Sequence, residues 1–196
     1  MSKDRTWNSV AYSKTLWASS HSDKDREIND YYATEPKATE LLLQLETFNQ
    51  KVWECACWEW HMSEVLKKHW HNVYSTDLID RWYWEQLDFL NNDILRDWDI
   101  ITNPPYKYAN QFIEQCLKKL KDWNKFAFFL PIRYTEWKER KKIFTTYPPK
   151  VVYVSSSRLK CAMNWKFDEM TGSAVSYAWF VREKGFKGDT TLKWFN

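Results

Sequence analysis

Glycine is the residue this chain nearly does without: three in 196, against 14 tryptophans. Average usage of about 7% would supply roughly a dozen in a chain of this length. Glycine provides the backbone conformations with φ > 0 that tight turns use, so a folded chain this poor in it must avoid such turns or force side chains into them. Charge of one sign is lacking too. With 29 Lys and Arg against 26 Asp and Glu, the net charge of +3 is too small for a strongly basic nucleic-acid coat, and any such binding must come from local patches. Long apolar runs are missing. The longest, such as Phe126 to Ile132, fall far short of the ~20 residues of a membrane span, and nothing near the N-terminus has the apolar core of a signal peptide. A cytoplasmic protein is expected, with Cys55, Cys57, Cys116 and Cys161 reduced. Cys55, Cys57, His69 and His71 do not have the spacing of common zinc sites, because Cys-x-Cys and His-x-His set alternate residues along strands. No metal is expected.

The length suits one well-buried domain. Residues 1–30 are polar and mixed in charge with no sustained period, which predicts an N-terminal arm ahead of a single domain over 31–196. Pro36 opens a helix over Lys37 to Phe48 with Leu41, Leu42 and Leu45 on one face, since proline suits the first helical turn. A strand at Lys51 to Cys57, a helix at Met62 to His69 and a strand at Asn72 to Asp77 follow. Next come a strand at Asp99 to Thr102, a helix at Ala109 to Leu120 and a strand at Lys125 to Pro131. A basic helix over Glu136 to Phe144 and strands at Val151 to Ser155, Ala174 to Arg182 and Leu192 to Phe195 complete the pattern. Strands alternating with helices predict an open, mostly parallel sheet with helices on both faces. Ligands of such sheets bind beyond the C-terminal strand ends, where the strand order reverses.

One of those ends carries Asn103-Pro104-Pro105-Tyr106, entered from the apolar run Asp99-Ile100-Ile101-Thr102. An exocyclic amine on a nucleobase is a poor nucleophile because its lone pair is delocalised into the ring. The Asn103 side-chain oxygen can draw on one N–H hydrogen of such an amine. The Pro104 carbonyl can accept a second, and Pro105, with φ fixed and no N–H to divert that carbonyl, holds it outward. Tyr106 offers a flat face on which an extruded base can stack.

The order of signals resembles the S-adenosylmethionine-dependent amino-methyltransferases, specifically the small phage-type N6-adenine DNA methyltransferases, over roughly Leu16 to the C-terminus. In that resemblance Asn29-Asp30-Tyr31-Tyr32-Ala33-Thr34-Glu35-Pro36 matches the N-terminal cofactor-side motif, with Tyr32, Thr34 and Pro36 as its contacts. Glu54-Cys55-Ala56-Cys57 matches the first-strand motif, with Glu54 near the methionine end of the cofactor and Ala56 and Cys57 lining it. Asp77 matches the acidic residue that binds ribose hydroxyls, Asp88-Phe89 the pair at the cofactor's adenine, and Asn103 to Tyr106 the catalytic motif, Asn103 also touching cofactor. The resemblance implies a Rossmann-like class I methyltransferase fold, S-adenosylmethionine as cofactor and double-stranded DNA as substrate in the cytoplasm of a bacterial host. It implies no separate large recognition domain, and the chain is taken as a monomer. Arg133, Lys138, Arg140, Lys141 and Lys142, helped by Lys118, Lys119 and Lys121, would meet the phosphates, and Ser155 to Gly172 lies where a target-reading loop could insert. Cytosine N4, guanine N2 of ribosomal RNA and a protein glutamine stay open as acceptors. A DNA-binding accessory protein without catalysis stays open too, and an aromatic-rich glycan binder has only the tryptophan count behind it.

The resemblance breaks at Trp58-Glu59-Trp60, where the family has glycines. Trp17, Trp70, Trp82, Trp84, Trp123, Trp137 and Trp165 likewise stand where turn context or the resemblance leads us to expect glycine. Trp53, Trp98, Trp179 and Trp194 instead sit in strand-like apolar settings that suit an aromatic. The first group is expected to come from UGA codons, which mean glycine in some bacterial lineages and their phages and tryptophan in other variant codes. The second group is expected to come from UGG.

Overall fold

The computed structural model describes residues 33–58, 60–80, 84–136, 138–157, 159, 161–162 and 175–195, all within one compact unit, Tyr31–Asn196. The described residues form ten strands: β1 (Ala33–Thr34), β2 (Lys51–Glu54), β3 (Asn72–Asp77), β4 (Glu85–Gln86), β5 (Asp99–Thr102), β6 (Lys125–Pro131), β7 (Val151–Ser155), β8 (Cys161–Ala162), β9 (Tyr177–Glu183) and β10 (Thr191–Phe195). Four α-helices among the described residues alternate with them: α1 (Pro36–Leu45), α2 (His61–Lys68), α3 (Ala109–Lys119) and α4 (Lys138–Thr146). Eight strands form one sheet in the order β10-β7-β9-β6-β5-β2-β3-β4, and β1 and β8 form a separate antiparallel pair. Within the large sheet only β9 runs against its neighbours, β6 and β7. The sheet is open and mostly parallel, as the alternation of strand and helix predicts.

Period-two alternation divides the core between the two faces of the sheet. Val52, Ile101, Ala127, Phe129, Trp179 and Val181 turn to one face and pack with Leu42, Met62 and Leu66 of α1 and α2. Trp53, Ile100, Phe126, Phe128 and Phe180 turn to the other and pack with Phe112, Ile113 and Cys116 of α3 and Ile143 of α4. Strands covered on both sides in this way read as continuous apolar runs, and β6, KFAFFLP, is one.

The predicted strands over 72–77, 99–102, 125–131 and 151–155 have the observed bounds. The helix after Pro36 ends at Leu45 rather than Phe48, because Glu46 is extended while its N–H still reaches the Leu42 carbonyl. Its buried face is Ala38, Thr39, Leu41 and Leu42, and Leu45 is exposed. The first strand ends at Glu54 instead of Cys57, where the chain turns away and the Cys57 N–H bonds the Thr76 carbonyl. No helix among the described residues is long and apolar enough to cross a membrane.

The tryptophans divide as the sequence suggested only in part: Trp194 is 66% exposed on β10, Trp60 and Trp84 do not have left-handed backbone, and Trp17, Trp82, Trp137 and Trp165 lie outside the described residues. Trp53 and Trp179 are buried, and each indole N–H has a partner at 2.9 Å, the Thr76 hydroxyl and the Ala38 carbonyl. Burying such a ring contributes roughly 4–6 kcal/mol by its area. Trp70 and Trp123 are 87% and 71% exposed and gain little of that. They and Trp58 are the non-glycine residues with left-handed backbone among those described, at φ 67°, 73° and 41°. For an L residue that conformation costs about 1–2 kcal/mol.

At the N-terminal edge of the sheet Asp99 joins three segments. Its buried carboxylate accepts the Asn49 N–H at 2.6 Å, the Lys125 N–H at 2.8 Å and the Asn124 side-chain amide at 3.2 Å. These bonds tie the starts of β5 and β6 to the loop that leads into β2. Replacing Asp99 with Ala leaves buried donors without an acceptor, so we expect a loss of roughly 2–4 kcal/mol, measurable as a lower denaturant midpoint in urea unfolding.

Candidate active site

The strand order reverses between β5 and β2: the chain proceeds from β2 through β3 to β4 on one side, then crosses to β5 and β6 on the other. The C-terminal ends of parallel strands that diverge this way border a crevice. Three sequence-predicted residues stand at those ends: Glu54 closes β2, Asp77 closes β3, and Asn103 follows β5. The loops that carry them are cross-tied. The Trp58 N–H bonds one Asp77 carboxylate oxygen at 2.9 Å, and the Ile79 N–H bonds the other at 3.0 Å. Both carboxylates are buried, Glu54 at 3% and Asp77 at 6% exposure.

Glu54 accepts a hydrogen bond from the Ser63 hydroxyl, which in turn lies 2.6 Å from that of Ser75. Burial is the main reason that its carboxyl is pushed up to about 8, with the nearby Asp77 charge adding to it and the Ser63 bond opposing it. Glu54 is therefore largely protonated at neutral pH. Burial likewise raises the Cys57 thiol well above its ordinary value, so this cysteine is no thiolate nucleophile.

In the Asn-Pro-Pro-Tyr segment, Asn103 is half-buried and Pro104 buried. Pro105 has φ −54° and ψ 122°, and its carbonyl caps a short 3-10 turn, Tyr106–Tyr108, by accepting the Tyr108 N–H at 2.9 Å. Tyr106 is half-buried, its ring 6.2 Å from that of Tyr177. The Asn103 side-chain nitrogen donates to the buried Thr34 hydroxyl at 3.0 Å. That bond fixes which end of the amide faces Thr34, and the carbonyl end is turned the other way. Thr34 belongs to β1, which pairs with Cys161–Ala162 of β8. The sequence placed Thr34 on the cofactor side from resemblance alone; its bond to Asn103 had no signal there, because the two are 69 positions apart. Ser63 and Ser75 were missed for the same reason: single serines in a helix and a strand carry no pattern.

The remaining expected contacts are placed as follows. Pro36 starts α1 at its first turn, Ala56 is half-buried beside Cys57, and Tyr32 lies outside the described residues. Asp88 closes a local turn, its carboxylate accepting the Leu90 N–H at 2.9 Å and the Asn91 amide at 2.6 Å. Phe89 is 2% exposed in the core, stacked on Phe112 at 4.9 Å. Among the basic residues, Arg133, Lys138 and Lys141 are exposed. Arg140 lies over the Tyr134 ring at 4.1 Å and donates to the Tyr134 carbonyl. Lys119 is turned inward, donating to the Asn92 side chain and the Ile94 carbonyl, and Lys121 pairs with Asp97. Cys57 stands at the C-terminal edge of the sheet while His71 meets the Asn49 carbonyl at the N-terminal edge, so these residues do not share one site.

No family model matches the chain, and no curated protein does. Solved structures do match. A Listeria monocytogenes protein of the class I S-adenosylmethionine-dependent methyltransferase type is 14% identical, with TM-score 0.53 over 80% of this chain and 63% of that one. An S-adenosylmethionine-dependent O-methyltransferase of Thermotoga maritima is 15% identical, with TM-score 0.54 over 80% and 68%. The type IIG restriction endonuclease BpuSI is 9% identical, with TM-score 0.59 over 84% of this chain and 27% of its own length. This chain thus spans about two thirds of the first two proteins and about a quarter of the third. At these identities the common property is the fold, a Rossmann-like class I methyltransferase fold.

Two outcomes follow from this geometry. The native state holds the Glu54 proton that the unfolded chain releases above its ordinary value of 4.5, so the contribution of this group to stability is fully present below that value and is lost as pH rises toward about 8. In Glu54→Gln that decline between pH 5 and pH 8 should flatten, as read from urea midpoints. Thr34→Val, which removes the acceptor at nearly constant shape, should free the Asn103 amide and broaden or shift its side-chain NH2 resonances in a two-dimensional 15N spectrum. Thr34→Ser should restore them.

Proposed function

We propose that this chain is an S-adenosylmethionine-dependent methyltransferase that modifies adenine N6 in double-stranded DNA. The observation that carries the reading is the placement of Asn103. It stands where the strand order reverses, beside the acidic ends of β2 and β3, with its amide nitrogen held by Thr34. The structural likeness to the class I methyltransferase fold supports the chemistry class, and the likeness to part of a restriction endonuclease supports DNA.

S-adenosylmethionine, when bound, supplies a methyl group on a positively charged sulfur. Glu54, Asp77 and the 55–58 loop are the residues that would hold it. They fit in kind and position: two carboxylates end adjacent parallel strands, as a ligand with a cationic end and ribose hydroxyls requires. Meeting a cation would return Glu54 to its ionised form, so cofactor affinity should be coupled to proton release near neutral pH. The access does not fit as well. Both carboxylates are sealed, and Asp77 is occupied by the backbone of Trp58 and Ile79.

On the acceptor side, Asn103 and the Pro104 carbonyl take hydrogen bonds from the N6 hydrogens of an extruded adenine, and Tyr106 stacks on its ring. These acceptors stabilise positive charge as it develops on the nitrogen, so the contribution is electrostatic preorganisation and no base of matched pKa is needed at the start. Arg133, Lys138 and Lys141 would meet phosphates, with a steep salt dependence. The sealed carboxylates also favour a second reading, an accessory DNA-binding protein that keeps the fold without the cofactor.

One set of measurements separates these readings. Calorimetric titration of S-adenosylmethionine into the chain carrying Trp58→Gly and Trp60→Gly gives binding for an enzyme and none for an accessory protein. Transfer of labelled methyl to adenine-containing duplexes, cytosine-only duplexes, ribosomal RNA and a glutamine peptide identifies the acceptor. In that glycine-restored chain Asn103→Ala should lower turnover by at least ~100-fold, as loss of one preorganised group does, with cofactor affinity within a few-fold of the parent. Retained methylation in that variant would contradict the assignment.

A further inference from the structure

Two of the three left-handed tryptophans occupy structural motifs that call for glycine. At the end of α2 the His71 N–H bonds the Leu66 carbonyl and the Trp70 N–H bonds the Lys67 carbonyl. Counting from His69 as the cap, these are the two bonds of a Schellman ending, in which the residue after the cap is left-handed and usually glycine. That residue is Trp70, at φ 67°. Past α3 the Asn124 N–H bonds the Lys121 carbonyl across a four-residue turn. Its third residue, Trp123, has φ 73° while Asp122 does not have positive φ. Those signs are those of a type II turn, whose third position takes glycine. Trp58, at φ 41°, lies in the loop between β2 and α2, tied through its N–H to Asp77. The remaining left-handed position among the described residues is a glycine, Gly185 at φ 91°.

With 14 tryptophans in 196 residues, three left-handed side chains that are all tryptophan do not reflect a property of tryptophan. It is a poor choice for φ > 0 and has no local hydrogen bond to offset the strain, unlike asparagine. The tryptophans with a structural reason behave oppositely: Trp53 and Trp179 are buried with their indole N–H bonded, and Trp98 meets the Tyr74 ring edge-on at 5.8 Å. We infer that positions 58, 70 and 123 are glycine positions, that the natural protein carries glycine there by reading UGA, and that glycine at 58 is what opens the 55–58 loop to the methyl donor. The last clause rests on the function proposed above. The first two do not, because α2 and α3 end this way whatever the protein does.

The coding DNA is the first test: UGA at codons 58, 70 and 123 with UGG at 53, 98, 179 and 194 is the expected result, and UGG at 58, 70 and 123 overturns the inference. The second test is physical and uses the full chain. Trp70→Gly and Trp123→Gly should each raise the thermal midpoint, by about 2–4 °C for a domain of this size, against a large loss for Trp53→Gly and Trp179→Gly. A fall in midpoint for both exposed sites would also overturn it. The third test is calorimetric titration of S-adenosylmethionine into the chain with Trp58→Gly and Trp60→Gly. Binding at least ten-fold tighter than in the parent is expected. If the codons and midpoints come out as expected and the donor still does not bind, the glycine assignment stands and the reading of the loop as a cofactor site falls.

Discussion

A reversal of strand order between β2 and β5 is the constraint from which the rest of this protein's organisation follows. Two parallel strands that send the chain in opposite directions leave no connection between their C-terminal ends, and the gap becomes the one place on the sheet edge where side chains can converge from several elements. Glu54, Asp77 and Asn103 come there from strands far apart in sequence. The opposite edge shows what holds the geometry in place. Asp99 accepts bonds from the segments before β2 and at the start of β6, so the two sides of the reversal are fixed to each other at one edge while the other edge is left for chemistry.

The chemistry at that edge is governed by how little water reaches it. Burying two carboxylates near each other is expensive unless one gives up its charge, and the Glu54 carboxyl responds by holding its proton up to about pH 8. A hydrogen-bonded serine pair beneath it offsets only part of the cost. The Glu54 carboxyl is therefore largely neutral at pH 7. Asn103 is prepared differently, since an amide has no charge to lose. Its nitrogen has a partner in the Thr34 hydroxyl, which sets how the amide is turned.

Most of this architecture was legible in the sequence, for a physical reason. Strands covered on both faces must be apolar at nearly every position, and β5 and β7 were readable to the residue because charged or polar residues bound their apolar runs at both ends. The first strand was read three residues too long because Cys55 and Cys57 are as apolar as a strand interior, and only the cross-loop bond from Cys57 to Thr76 shows that the chain has left the sheet. The two-residue strands β1, β4 and β8 were not readable, since such short pairs have no period. Within the site, residues at strand ends were found because topology predicts where strand ends go. Thr34 and Ser63 acquire their partners only through the tertiary fold, and Lys119 shows the converse: its place in a run of lysines suggested solvent, while the periodicity of α3 turns it inward onto the carbonyls of Asn92 and Ile94.

Tryptophan usage in this chain is the sharpest conflict between local and global demands, and the two kinds of site show that composition alone cannot judge a residue. An indole in β2 or β9 fills volume between sheet and helix and satisfies its N–H, a gain of several kcal/mol by area. The same indole at the end of α2 or past α3 stands in water on a backbone that disfavours any side chain, so the burial gain disappears and the strain remains. Natural sequences are locally consistent with their folds, and among the described residues the non-glycine positions with left-handed backbone are all tryptophan. Chance damage or relaxed selection would scatter misfits across residue types and across the core. A single substitution rule acting on every glycine of one codon would leave the core intact and strike the turns, and the core of this protein is intact.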